Sequence, residues 1–118
     1  MNRKESIKAF SQSEKLKAGL IWASQIAEAC NALTESDKPG AEKIIKILIG
    51  MVASEIHIAK KAAPHDIWSE AEKHVHTAQV MLNSGVAHDV GYHLTQALSK
   101  ITTVGQQSMS QLVEDGLL

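Results

Sequence analysis

The chain has 118 residues, 44% of them hydrophobic, with 12 Lys and Arg against 13 Asp and Glu and a net charge of -1. That length suits one domain with one modest core, and the near-neutral balance, with Arg3 the only arginine, argues against nucleic acid as a partner because such binding needs a basic surface. The single Cys30 has no partner for an internal disulfide, no charged-apolar-small signal segment opens the chain, and apolar runs such as Ile47-Leu48-Ile49 are far too short to span a bilayer. The expected setting is therefore cytoplasmic, away from membranes.

Glycine numbers 7 and proline 2, both prolines falling between long stretches of good helix formers. The breakers predict four helices at roughly 5–35, 39–63, 66–83 and 86–114. Short connections make consecutive helices antiparallel, so the predicted fold is all-α, an up-down four-helix bundle in a single domain over residues 1–118. Helix one has two candidate starts, because Asn2-x-x-Glu5 and Ser11-x-x-Glu14 both read as capping boxes, and a break near Ser11 is one outcome. Thr34 to Pro39 combines cap oxygens with a proline suited to a first turn, and Pro64-His65-Asp66 repeats that device before helix three. Asn83-Ser84-Gly85 supplies a left-handed stop after it.

At about 100° per residue, helix two gathers Ile44, Ile45, Leu48, Ile49, Met51, Val52, Ile56, Ile58 and Ala59 into one broad arc taken as core. Helix three does so with Ile67, Ala71, Val75, Ala78, Met81 and Leu82. Helix four uses Val86, Val90, Leu94, Ala97, Leu98, Ile101, Val104 and Leu112. Helix one covers them through Leu16, Leu20, Ala23, Ile26, Ala27 and Cys30, and keeps a second apolar face made of Ala18, Ile21, Trp22 and Ala29. A lone bundle leaves that face wet, and a twofold homodimer is the commonest way to cover it.

Six histidines are the first place to look for chemistry. Glu55 falls inside the apolar arc of helix two as drawn, where a carboxylate needs a partner. Counting out from the turns puts Glu55, His74 and His93 at one level of three helices, a set suited to Zn²⁺ or Fe²⁺ or to a Glu–His hydrogen-bond network. His57 projects outward, with Gly50, Ala53 and Ser54 before it and Lys60 and Lys61 after. The row His57-Ile58-Ala59-Lys60-Lys61 resembles the His-x-x-Lys-Gly pattern of histidine-phosphotransfer domains, which implies His57 as phosphoacceptor; Lys61 stands where that family has glycine.

The stretch from Trp68 to Lys100, with Ala78-x-x-Met81-Leu82-x-x-Gly85 and Tyr92-His93-x-x-Gln96-Ala97-Leu98-x-Lys100, resembles the helical hairpin of HEPN-type domains. The ribonuclease motif Arg-x-x-x-x-His is absent, so that likeness implies a binding member. No phosphate loop, Cys-x-x-Cys pair, nucleophile elbow or Glu-x-x-His pair occurs. The expectation from sequence is a non-enzymatic, homo-oligomeric interaction module. A metal- or ligand-binding bundle and a phosphotransfer domain are the alternatives.

Overall fold

A computed structural model describes residues 1–118. Four helices, α1 (Arg3–Asn31), α2 (Lys38–Ala62), α3 (Asp66–Asn83) and α4 (Val90–Glu114), carry the chain, with a 3₁₀ turn at Ala87–Asp89 ahead of α4. Each packs on its two neighbours, α1 on α2 and α4, α3 on α2 and α4. The result is an antiparallel four-helix bundle about 54 Å long. No helix is long and apolar enough to cross a membrane.

Local chemistry sets the helix ends. Asn2 Oδ1 accepts from the Glu5 amide at 2.8 Å while Asn2 Nδ2 donates to the Glu5 carboxylate at 3.2 Å. Of the two expected capping boxes this is the one used, and α1 runs unbroken through Ser11. His65 caps α3 by accepting the Ile67 amide on Nδ1, leaving Nε2–H to donate to Gln107 Oε1 at 2.9 Å. Gly85, at φ 80°, ends α3, and the Val86 amide closes back on the Met81 carbonyl. That tight exit is followed by one 3₁₀ turn, so α4 begins four residues later than the expected 86.

A connected core contains Leu16, Leu20, Ile49, Ile56, Trp68, Val75, Leu94, Ile101 and Val104, each at most 2% exposed. Alanines fill the contacts between them, which lets the helices approach closely. The arc drawn for helix two was too broad. Ile45, Ile49, Val52, Ile56 and Ala59 are buried as expected, but Ile44, Met51 and Ile58 are exposed, and so is Ile26 of α1. Trp68, left out of the expected arc of helix three, is fully buried, its indole N–H donating to the Ala63 carbonyl at 2.7 Å.

The half of α1 near its N-terminus contributes Ser6, Ala9 and Ser13, small residues that bring it against α4. A Cβ at Gly105 would lie 3.1 Å from Ser13 Oγ, so glycine there permits the approach. Ser13 and Ser108 return their hydroxyls to carbonyls of the preceding turn, whereas the buried Ser6 Oγ has no partner. Ser6→Ala removes that unsatisfied hydroxyl and improves helix propensity, so it will raise the unfolding free energy by about 0.5–1 kcal/mol in urea titrations. A loss of stability would mean that the hydroxyl is bonded after all.

Candidate functional site

Two ion pairs orient α2. Glu55 Oε1 meets Lys15 Nζ of α1 at 3.1 Å, and Lys60 Nζ meets Glu72 Oε1 of α3 at 3.0 Å. The buried stripe of α2 runs between these flanks. At 100° per residue, Ile44, Ile47, Met51 and Ile58 fall on the Glu55 side, facing outward next to α1. Lys43, Lys46, His57 and Lys61 fall on the α3 side.

On α1, Lys15 and Gly19 mark the flank toward α2, since a Cβ at Gly19 would touch Val52 at 4.0 Å. Trp22, Ile26, Ala18 and Ala29 share that flank, whereas Ile21, half-buried, turns to the α4 side. The same two contacts fix the register of the antiparallel pair. Trp22 therefore lies level with Leu48 and Ile49, and Ile26 level with Ile44 and Ile45. Six large apolar side chains meet solvent on this face: Trp22 (65% exposed), Ile26 (43%), Ile44 (64%), Ile47 (62%), Met51 (60%) and Ile58 (48%). Scattered singly, such residues are ordinary surface. Gathered by helix periodicity on adjoining faces of two helices, they are the kind of exposed apolar surface that marks an interaction site.

The sequence reading places Ala18, Ile21, Trp22 and Ala29 on one face; Trp22 and Ala29 are exposed, and Ala18 and Ile21 are half-buried. It missed the α2 half because Ile44, Met51 and Ile58 had been assigned inward. Ile47 carried the usable signal. It lies diametrically opposite the centre of the buried stripe, where a core helix should be polar.

The remaining candidates are dispersed. Glu55 sits on the α1–α2 flank with Lys15, its Oε2 buried and unpartnered. His74 and His93 are half-buried on α3 and α4, and the His93 ring stands edge-on to Tyr92 with centroids 5.2 Å apart. Glu55 is thus not brought together with the two histidines, and no three His, Cys, Asp or Glu side chains are close enough to hold a metal ion. The arc drawn too wide is the cause, since it took in Ile44, Met51 and Ile58, and Glu55 with them, beside the stripe that contains Ile45 and Ile56. With Lys15 largely exposed and free to rehydrate, Glu55→Ala will cost less than about 1 kcal/mol in urea unfolding. A loss of several kcal/mol would show that Glu55 belongs to a buried network.

His57 is exposed, as a phosphoacceptor would have to be, but neighbouring Lys60 is engaged by Glu72. A cleft of about 220 Å³ between turn one and turn three is lined by Cys30, Asn31, Lys38, Glu42 and His88 among others, and a wide, open, polar hollow of about 510 Å³ surrounds His65 and Gln107 at the other end. The first is below the ~300–1,000 Å³ usual for a small-molecule site. The arrangement as a whole defines an all-α four-helix bundle with one broad apolar face. Compared with protein-family models, curated proteins and solved structures, the chain has no significant match.

Proposed function

We propose that this protein is a non-enzymatic interaction module of the cytoplasm that works as a homo-oligomer through its α1–α2 face. The observation that carries the reading is the exposure of Trp22, Ile26, Ile44, Ile47 and Met51, which helix periodicity puts on adjoining outward faces of α1 and α2. Standard interfaces bury about 800 Å² per partner around an apolar centre, and these side chains supply such a centre. Tryptophan among them suits an energetic anchor, because Trp is enriched among the few residues that dominate binding energy. Catalytic motifs are absent from the sequence, and the lone cysteine suits a reducing compartment.

The test is solution mass. Sedimentation equilibrium of the wild-type chain at micromolar concentrations is expected to give twice the 12.8 kDa of one chain. A monomer at several hundred micromolar would end the homo-oligomer reading.

A further inference from the structure

The α1–α2 face is charged unequally along its length. Lys4, Lys8 and Lys15 lie on Trp22's side of α1, toward the N-terminal end, and Lys4 and Lys8 are exposed. At the opposite end, turn one carries Glu35 and Asp37, both exposed, with the half-buried Lys38 bonded to Glu35 at 3.0 Å, so that its balance is acidic by one charge. The apolar patch lies between. From one end to the other the face is basic, then apolar, then acidic.

Resting on the reading of this face as a homo-oligomeric surface, we infer that two copies pair antiparallel, about a twofold axis that crosses the helices near the level of Trp22 and Leu48. Two twofold axes can bring this face onto itself. An axis parallel to the helices stacks Lys8 and Lys15 on their own copies and the acidic turn on the acidic turn. Like charges opposed at an interface are costly and suppress that register. An axis across the helices reverses one copy, so that each basic end meets an acidic turn.

The distances agree with this arrangement. At a rise of about 1.5 Å per residue, Lys15 is ~10 Å and Lys8 ~21 Å from Trp22 on one side, and α1 ends ~14 Å away on the other. The partner's turn one therefore falls between Lys8 and Lys15, within reach of both long side chains. The apolar stretch from Ile26 and Ile44 to Met51 overlaps its copy, with the two Trp22 rings beside the axis, while Ile58 lies level with the partner's turn one and Lys4 overhangs into solvent. Lys15 keeps its bond to Glu55, and Glu35 its bond to Lys38, while each presents its outer side to the partner.

Two measurements test the arrangement apart from dimerisation itself. With a spin label on Ser36→Cys in a Cys30→Ser background, electron-electron resonance is expected to give an inter-label distance of roughly 30 Å, against under ~20 Å for the other axis. The surface variants Lys8→Glu and Glu35→Lys, neither of which touches the core, are each expected to raise the dimer Kd about fivefold or more, and an equimolar mixture to recover near wild-type affinity as a heterodimer. A dimer with a short label distance, or one indifferent to both charge reversals, overturns the antiparallel arrangement and leaves the homo-oligomer standing. A monomeric wild type overturns both. A long distance with rescue in the mixture supports the proposal.

Discussion

Replacing Trp68 with alanine will lower the unfolding free energy by about 3–5 kcal/mol, a large part of the ~5–15 kcal/mol available to a domain of this size. Trp68 is fully buried at the start of α3, and its indole N–H donates at 2.7 Å to the carbonyl of Ala63, itself buried in the turn from α2. One side chain therefore fills the end of the core and satisfies a carbonyl that closes the α2–α3 connection. Truncation opens a cavity and strands that carbonyl at once. Trp68→Phe separates the two effects, because it keeps most of the ring volume but removes the donor, and should cost about 1–3 kcal/mol. Urea titrations followed by circular dichroism give both values. A loss below about 1 kcal/mol for Trp68→Ala would show that the turn and core rearrange to close the gap.

The two tryptophans show how far periodicity carries. An offset of 46 residues superimposes Ile21-Trp22 on Ile67-Trp68, yet Trp22 is mostly exposed and Trp68 fully buried. Trp68 is in phase with Ala71, Val75, Ala78 and Leu82, all buried, so the correct stripe of α3 was available once Ile67 was placed on its edge. Trp22 is out of phase with Leu16, Leu20, Ala23 and Ala27, and the sequence alone identified it as surplus to the core. Breakers and caps made the number, order and approximate limits of the helices legible, because Pro39, Pro64 and Gly85 act within a turn of where they stand.

The orientation of α2 was harder to read. It has apolar residues on more than half of its circumference, and a hydrophobic count alone weights Ile44 and Ile56 equally. What separates them is which helix stands on each flank, and that depends on the Lys15–Glu55 and Lys60–Glu72 pairs between elements distant in sequence. The misassigned arc had two consequences. It drew Glu55 inward toward His74 and His93, whereas Glu55 stands on the α1–α2 flank beside Lys15. It also concealed that Ile44, Met51 and Ile58 belong with Trp22 on a single outward face. The buried small residues Ser6, Ser13 and Ser108 escaped notice because hydroxyls count as polar, although each is short enough to sit where α1 and α4 approach.

Substituting Trp22 by glutamate will raise the dissociation constant of the proposed dimer by roughly 100-fold or more while leaving the isolated chain as stable as before. The indole is 65% exposed in the single chain, so removing it takes little from the core, and a surface change of this kind alters folding by less than about 0.5 kcal/mol. In the proposed dimer the same side chain lies near the axis and is lost twice. A central tryptophan is commonly worth 2 kcal/mol or more on truncation, and a carboxylate left among Ile26, Ile44, Ile47 and Met51 adds the cost of a charge stripped of water. Folding and association are measured separately. Urea unfolding at a concentration where wild type and variant are both monomeric should give matching curves, while sedimentation at micromolar concentrations should show a wild-type dimer and a variant monomer. Trp22→Phe, which keeps an aromatic anchor, should fall between them. If Trp22→Glu retains the wild-type dissociation constant, the association runs through another face and the α1–α2 patch is not the working surface; if it unfolds the isolated chain, Trp22 belongs to the core.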